Sequence, residues 1–322
     1  MLSRFPQLHT SLQGIVSDIA RAYWTLIKIM VPATLVVKLL DTLGFTQWLG
    51  VALGPVVELL GLPSELGLVW AVTMLTNIYT GMAAFYTLSV GQEYTVAQIS
   101  ILGLLMLVAH SLVIEGAVAK ATGVRWRLTL AIRIGSGLFL AALFSQLFSY
   151  FGLLQQPAEL LWQPQASEPG WLGWGIAQLR LLAWILVILS SLVVMMRILR
   201  WLGVEQVLQQ LLSPLMRCLT IGKEASNITI VGMLLGLSYG AGLLINEVRS
   251  GHINKRDTLL VVCFLGLTHS LIEDTLLILL LGADLSTILW GRLVFAIVLI
   301  TAMGRIWLKS RHCPNPLPNS DS

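Results

Sequence analysis

The fold is decided by an uncharged stretch at residues 66–92, LGLVWAVTMLTNIYTGMAAFYTLSVGQ. It contains no Asp, Glu, Lys or Arg, and a helix of this length can cross the roughly 30 Å of a bilayer's hydrocarbon. Comparable apolar stretches predict further membrane spans at about 22–42, 97–120, 128–152, 176–198, 225–247, 258–281 and 287–308. Two shorter amphipathic segments, 46–61 and 205–220, either cross the membrane or fold back within it.

The composition of the whole chain supports this interpretation. Of its 322 residues 56% are hydrophobic and 11% are charged, whereas soluble domains carry about 25% charged residues. The net charge of +4 is explained by basic membrane loops, since no basic patch interleaved with aromatics is present, and we expect no nucleic-acid partner. The three cysteines form no spaced metal-binding or disulfide framework. We therefore expect an all-α polytopic membrane protein.

The sequence also matches itself when it is shifted by 159 positions, which indicates an internal duplication. Leucine matches are uninformative in such a composition, but rarer residues repeat in the same register. The repeated residues are Leu43-Gly44 with Leu202-Gly203, Pro55 with Pro214, Glu65 with Glu224, Gly81 with Gly240, His110-Ser111-Leu112 with His269-Ser270-Leu271, Gly123 with Gly282 and Arg133 with Arg292.

The distribution of Lys and Arg predicts how the two halves are oriented, because basic loops of membrane proteins lie in the cytoplasm. Lys and Arg are present in loops 120–127, 197–200 and 249–256 and near the C-terminus, and are absent from loops 90–96, 153–175 and 282–286. If both short segments cross, the second half is inverted and every basic loop is cytoplasmic. If they lie flat, basic loops fall on opposite sides. We therefore expect two inverted repeats of about five membrane-embedded helices each.

The predicted domain organisation follows from this repeat. It comprises an N-terminal amphipathic segment (1–21), a first repeat (22–152), an extracytoplasmic linker (153–175), a second, inverted repeat (176–310) and a C-terminal tail (311–322). Both termini are then cytoplasmic.

Polar residues in two matched helices suggest a first candidate site. Glycine-weakened helices at corresponding positions of inverted repeats are a sequence sign of a transporter site. Packing of small residues, such as Gly236 with Gly240, is the structural alternative. Gly81 and its polar neighbours are expected to open the first of these helices. The candidate substrate-binding or ion-binding residues are Thr76, Asn77, Tyr79 and Thr80 in the first half and Ser238, Tyr239, Asn246 and Glu247 in the second.

A second candidate site combines histidine with carboxylates at membrane depth. Its residues are His110 and Glu115 in the first half and His269, Glu273 and Asp274 in the second. Glu115 and Asp274 occupy equivalent repeat positions, and His269 and Glu273 are expected to share one helical face because they are four residues apart. These groups suit a proton, sodium or divalent-metal site; a structural pairing with Arg133 or Arg292 is the alternative. For the two arginines themselves we expect snorkelling and helix bracing rather than anion binding.

The duplicated helical segment, the polar run Thr76 to Gly81 with its partner Ser238 to Gly240, and the His-Ser-x-x-x-Glu/Asp pattern resemble the nucleoside-recognition, or Gate, domain proteins of bacterial inner membranes. That family includes spore maturation proteins A and B, and the domain is shared with ferrous iron transporter B. The resemblance covers about 22–308. It implies a multipass inner-membrane protein with a transport role.

We expect a secondary transporter or facilitator for a small polar or ionic solute, with its site at the interface of the two repeats. A non-transporting membrane subunit or scaffold that acts with a partner is the alternative. The sequence contains neither a GxxxxGK[ST] phosphate loop nor an HExxH motif, and we expect no enzymatic activity. No cofactor is expected beyond a bound cation, and the expected partners are lipid, the solute and either a second copy or another membrane protein.

Overall fold

The computed structural model describes residues 12–43, 54–160, 170–203, 221–235 and 244–310, together with the single positions 207, 210, 212 and 219. The start of the N-terminal segment, part of the linker, the C-terminal tail and most of the two short amphipathic segments lie outside these residues. Ser238 and Tyr239 also lie outside them, so their role stays a prediction.

Secondary structure in this part of the chain is helical, apart from one isolated β-bridge between Thr95 and Pro157. The first half contains α1 (Leu12–Thr42), α2 (Leu66–Leu75), α3 (Ile78–Leu88), α4 (Val96–Val108), α5 (Leu112–Ala121) and α6 (Trp126–Phe151). The second half contains α7 (Trp171–Trp201), α8 (Lys223–Leu235), α9 (Lys255–Thr268), α10 (Glu273–Leu279), a π-helical turn (Ser286–Gly291) and α11 (Arg292–Ser310). The predicted boundaries at 21/22 and 175/176 fall inside α1 and α7, respectively.

Five helical stretches are long and apolar enough to cross a membrane. They are Val96–Ala121, Trp126–Phe151, Trp171–Met195, Lys255–Leu279 and Ser286–Ile306. Each coincides with one of the spans predicted from the sequence. The prediction of an all-α membrane protein is thereby confirmed, whereas the full number of crossings stays a prediction.

The five stretches differ in how deeply they are buried within the protein. The most apolar parts of Val96–Ala121 and Lys255–Leu279 are 72% buried, compared with 24–39% for the other three. Apolar side chains on the less buried helices are suited to contact lipid. Val96–Ala121 and Lys255–Leu279 therefore form the centre of the bundle, and the centre is where the polar residues lie.

Both central stretches are broken, although the sequence predicted them as continuous spans. The first is interrupted between Val108 and Leu112, and the second between Thr268 and Glu273. Ser111 and Ser270 lie in the breaks with φ of 50° and 47°, in the left-handed region that costs energy for a residue with a side chain. The sequence contains neither Pro nor Gly at either point, so these residue types did not predict the breaks.

The two breaks are held by carbonyl groups of neighbouring helices. In the first half, the backbone N–H of Ser111 donates to Thr73 O of α2 (3.1 Å). In the second half, the N–H of Leu271 donates to Met233 O of α8 (2.9 Å). Because these interhelical bonds satisfy backbone groups that the breaks release, irregular backbone is tolerated inside an apolar bundle.

The helix predicted within 66–92 also opens, and it does so inside the predicted polar run Thr76 to Gly81, at Thr76 and Asn77 rather than at Gly81 itself. Asn77 caps the new start of α3, because its Oδ1 accepts hydrogen bonds from the backbone N–H (2.9 Å) and hydroxyl (3.2 Å) of Thr80. Gly81 instead lies inside α3, pressed against Thr73 of α2, where a Cβ atom would have no room. Its role there is close helix packing.

Helices at corresponding positions of the two halves lie in the same register. α1 and α7 end 159 positions apart, at Thr42 and Trp201, and α4 and α9 begin 159 positions apart, at Val96 and Lys255. α1 packs against α7, and there the hydroxyl of Tyr23 donates to Leu182 O (2.9 Å), again 159 positions apart. The halves therefore meet through equivalent positions.

Candidate functional site

Two buried imidazoles meet where the central helices break. His110 and His269 are 6% and 4% exposed, and their Nε2 atoms lie 2.9 Å apart. Each ring also contacts the carbonyl oxygen four residues earlier in its own helix: His110 Nδ1 lies 3.0 Å from Met106 O, and His269 Nδ1 lies 2.8 Å from Leu265 O. The helix ends thus aim both Nε2 atoms at the same point.

Glu115 and Arg133 form a buried ion pair beside the imidazoles. Arg133 Nη1 lies 2.6 Å from Glu115 Oε2, and Arg133 Nε donates to Val108 O (2.8 Å). The other carboxylate oxygen, Oε1, lies 3.4 Å from His269 Nε2 and 3.6 Å from His110 Nε2. The carboxylate therefore uses one oxygen for the arginine and turns the other toward the imidazoles.

The equivalent residues of the second half are arranged differently. Asp274 Oδ2 lies 3.7 Å from His110 Nε2 and has no hydrogen-bond partner among the described residues. Arg292, 1% exposed, donates through Nη2 to the hydroxyl of Thr275 (3.2 Å), and its Nε and Nη1 have no described partner. No salt bridge joins Asp274 to Arg292 in the described part of the chain.

The expectation that His269 and Glu273 share one helical face is wrong, because α9 ends at Thr268 and Glu273 begins α10. His269 turns toward His110. Glu273 Oε1 instead accepts a hydrogen bond from the hydroxyl of Tyr79 (3.0 Å), which links α10 to α3. Tyr79 and Glu273 thus form a separate pair, and Glu273 directly precedes Asp274 in the chain.

Thr76, Asn77 and Thr80 support the backbone of the first break. Asn77 and Thr80 cap α3, and Thr76 donates to Val72 O (2.6 Å). The hydroxyl of Ser111 donates to Thr76 O (2.7 Å). These hydrogen bonds join the α2–α3 break to the α4–α5 break, and so these residues hold the site in place without contacting the imidazoles.

Asn246 and Glu247 lie away from this cluster. Asn246 is exposed, and Glu247 Oε2 pairs with Nδ1 of the exposed His252 (2.7 Å). The structure therefore does not bring these two predicted site residues to the imidazoles.

The largest difference from the sequence interpretation concerns the arginines. Arg133 and Arg292 are 3% and 1% exposed and point into the bundle, so the expectation of snorkelling is wrong, whereas bracing describes Arg133. Gly266 of α9 makes room for Arg133, since a Cβ there would lie 3.3 Å from Arg133 Cδ. The repetition of both arginines at the 159-residue spacing was the signal that they belong to the site.

A small cleft adjoins Glu115 and Arg133 between α5, α6 and α9. Its volume of about 20 Å³ is enough for about one water molecule. Beyond Glu115, which lines this cleft, His110, His269 and Asp274 each bring one potential ligand atom within 4.8 Å of the others. All three residues are buried, and their lone pairs face one another.

Comparisons with known proteins agree with this picture of a membrane protein. The model of the Gate family, described as nucleoside recognition, matches residues 23–125, which reach from α1 to the loop after α5. The chain is 31% identical over 294 residues to an uncharacterized membrane protein, YvoD, of Bacillus subtilis (strain 168), covering 89% of this chain and 91% of that protein. No solved structure matches. The chain belongs to the Gate, or nucleoside-recognition, family of membrane proteins.

Proposed function

We propose that this protein is a membrane transporter or facilitator for a small polar or ionic solute, and that the solute binds where the breaks of α4 and α9 meet. The observation that carries the proposal is a set of buried polar atoms without partners among the described residues. They are the carboxylate oxygens Glu115 Oε1 and Asp274 Oδ2 and the guanidinium nitrogens Arg133 Nη2, Arg292 Nε and Arg292 Nη1.

Unpaired polar atoms inside an apolar bundle are costly, at about 1–3 kcal/mol each and more when they carry charge. A purely structural cluster gains stability by pairing all of its polar atoms, whereas here only Glu115 Oε2 and Arg133 Nη1 form a salt bridge. A binding site instead keeps unpaired donor and acceptor atoms, and its ligand pairs with them. The mixture of free acceptors and free donors suits a solute that is polar or charged.

We further propose that the two halves are inverted repeats and that both termini are cytoplasmic in a bacterial inner membrane. The distribution of Lys and Arg supports this topology, and so does the common register of α1 with α7 and of α4 with α9. A site on the axis that relates such repeats is reached alternately from each side of the membrane.

Labelling of single cysteines tests the topology. In a chain with Cys218, Cys263 and Cys313 replaced by serine, Gln92→Cys places one thiol in an exposed loop, and Lys255→Cys places one at the exposed start of α9. A membrane-impermeant maleimide applied to intact cells should label Gln92→Cys, and should label Lys255→Cys only after the membrane is permeabilised. Labelling of both from the same side contradicts the inverted arrangement.

The small cleft implies that the described conformation is closed. Because about 20 Å³ admits about one water molecule, a larger solute requires α5 or α10 to move away from the imidazoles. These two helices are short and follow the breaks directly, so the breaks are the natural hinges.

Solute flux into proteoliposomes that contain only this protein tests the transport proposal. A panel of metal ions, monovalent cations, organic cations and anions, amino acids and nucleosides is offered, and the wild type should accumulate at least one of them. Asp274→Asn should abolish that flux. Glu247→Gln, which changes a partly exposed carboxylate outside the cluster, is the matched control and should leave it unchanged.

Two outcomes contradict transport. One is the absence of flux for every solute, together with stable co-purification of another membrane protein, which supports a scaffold. The other is wild-type flux in a folded Asp274→Asn variant, which moves the pathway away from this site.

A further inference from the structure

The hydrogen bonds of His110 and His269 determine which ring nitrogen carries a proton. Nδ1 of each ring lies within hydrogen-bond distance of a backbone carbonyl oxygen, Met106 O or Leu265 O. A carbonyl oxygen can only accept, so Nδ1 is the protonated, donating nitrogen in both rings. Nε2 of each neutral imidazole is therefore an unprotonated acceptor.

These two acceptors face each other across 2.9 Å. Two lone pairs at that distance repel unless a positively charged species lies between them. The nearest side-chain atoms add to the conflict, because Glu115 Oε1 and Asp274 Oδ2 are acceptors too, and both lack a described partner. Glu115 and Asp274 are each 8% exposed, so bulk solvent has little access to these oxygens.

We propose that Nε2 of His110, Nε2 of His269, Oε1 of Glu115 and Oδ2 of Asp274 bind one divalent transition-metal ion. Two imidazoles with two carboxylates form a mixed nitrogen and oxygen donor set, which suits zinc, iron(II), cobalt(II) or manganese(II) better than calcium or magnesium. Metal-binding histidines commonly donate their second ring nitrogen to a carbonyl, as both rings do here.

The distances match such an ion. Tetrahedral ligands at about 2.0–2.1 Å from zinc lie about 3.3 Å from one another. The separations here are 2.9 Å between the imidazoles, 3.4 and 3.6 Å from Glu115 Oε1 to them, and 3.7 Å from Asp274 Oδ2 to His110. The ligand atoms of His110, His269 and Asp274 lie within 4.8 Å of one another. A movement of the Asp274 side chain on the order of 1 Å is therefore needed to bring four ligands to the tetrahedral spacing around one ion.

The charges around the centre also favour a cation. The acidic and basic groups around it, besides the imidazoles and the hydroxyl of Tyr79, are the carboxyl groups of Glu115, Glu273 and Asp274 and the guanidinium groups of Arg133 and Arg292. Carboxylates outnumber guanidiniums by three to two. Arg133 is engaged by Glu115 Oε2 and Val108 O, which leaves Oε1 for the ion.

Binding of the ion goes beyond the proposed function and is independent of transport. The ion has one of two roles, and the same four ligands bind it in both. It is either the transported solute, which rests on the proposed function, or a permanently bound ion that shapes the site for another solute.

Metal titration of the full-length protein tests the inference. The protein is purified in detergent, stripped with a chelator and titrated with Co²⁺ and Zn²⁺ by calorimetry, with stoichiometry from elemental analysis. We expect one ion per chain, a visible Co²⁺ spectrum typical of tetrahedral coordination, and a higher melting temperature with Zn²⁺. X-ray absorption of the zinc-loaded wild type should show two imidazole ligands.

Variants assign the ligands. His110→Asn, His269→Asn and Asp274→Asn should each weaken binding at least tenfold. His252→Asn is the matched control, because His252 is an exposed imidazole beside the carboxylate of Glu247, and it should bind as the wild type does. The melting temperature of each metal-free variant shows whether it is folded.

The inference is overturned if the wild type binds less than a tenth of an equivalent of Co²⁺ and Zn²⁺, which leaves a proton shared between the imidazoles as the bridging species. It is also overturned if X-ray absorption shows no imidazole ligands, or if folded His110→Asn and His269→Asn bind as tightly as the wild type. Metal binding without flux of any solute contradicts the proposed function alone, and flux without metal binding contradicts this inference alone.

Discussion

The two halves differ in how an acidic residue and an arginine at equivalent repeat positions are paired. In the first half the two residues form a salt bridge, and in the second they do not. Glu115 and Arg133 contact each other at 2.6 Å, whereas Asp274 and Arg292 lie at the equivalent positions without a salt bridge between them. The shorter aspartate side chain and the hydrogen bond from Arg292 to Thr275 account for the difference. The same pair of residue types thus stands at both positions of the 159-residue repeat in the sequence; the first pair braces the bundle, and in the second the carboxylate oxygen Asp274 Oδ2 has no hydrogen-bond partner among the described residues.

Replacement of the two arginines should produce the largest effect. Arg133→Gln leaves Glu115 buried without a counter-charge, and we expect a loss of about 3–5 kcal/mol in the free energy of unfolding. Arg292→Gln removes a guanidinium that has only one described hydrogen bond, and we expect a loss of about 1 kcal/mol. Thermal melting in one detergent compares the two, and equal losses contradict the distinction between brace and site.

Two equivalent glycines give the next comparison. Gly123 and Gly282 have φ of 83° and 87°, so alanine is strained at both. A Cβ at Gly123 meets nothing within 4 Å, whereas one at Gly282 lies 2.9 Å from Glu159 O. We expect Gly282→Ala to cost about 2–4 kcal/mol and Gly123→Ala about 1 kcal/mol.

The same melting measurement decides this comparison. A Gly123→Ala protein as unstable as Gly282→Ala contradicts the contact between the loop of Gly282 and the chain at Glu159.

The Tyr79–Glu273 hydrogen bond has no equivalent in the described first half. Tyr79→Phe removes the donor and leaves a buried carboxylate oxygen without it, so we expect a loss of about 1.5 kcal/mol. Tyr150→Phe, at an exposed tyrosine, is the control and should melt with the wild type. If the two variants melt together, the hydrogen bond contributes nothing to stability.

The smallest expected effect on stability comes from replacing Ser111 or Ser270, the two serines in the breaks, by glycine. Glycine relieves the left-handed backbone at either position, but Ser111 also donates to Thr76 O, whereas the Ser270 hydroxyl has no partner among the described residues. We expect Ser270→Gly to stabilise by about 0.5 kcal/mol and Ser111→Gly to destabilise by a similar amount. Opposite signs in denaturant titrations confirm the comparison, and equal signs contradict it.

The sequence was most informative where composition or repetition carries the signal. Low charge and long apolar runs predicted a helical membrane protein, and the 159-residue register predicted that His110 and His269 are equivalent. Their direct contact follows from how α4 and α9 pack, which no local pattern encodes. Repetition also singled out the arginines, although their burial depends on space that neighbours such as Gly266 provide.

The breaks themselves could not be predicted from local signals. Neither AHS at 109–111 nor THSLI at 268–272 contains the Pro or Gly that usually ends a helix. The helices end because tertiary hydrogen bonds, such as that from Ser111 N to Thr73 O, compensate for the lost helical ones. The i,i+4 rule consequently failed for His269 and Glu273, since it assumes a continuous helix.

The attachment of each imidazole to its own helix end has a consequence for proton movement. To conduct protons along a chain of hydrogen bonds, an imidazole must take a proton on one nitrogen, release another from its second nitrogen, and then reset. Nδ1 of His110 and of His269 donates its proton to a backbone carbonyl oxygen, which does not pass a proton on. Neither ring can therefore transfer its Nδ1 proton to another group unless this hydrogen bond breaks. The pair is therefore a terminus for a migrating proton, and a current of protons through this bundle has to pass around the two rings.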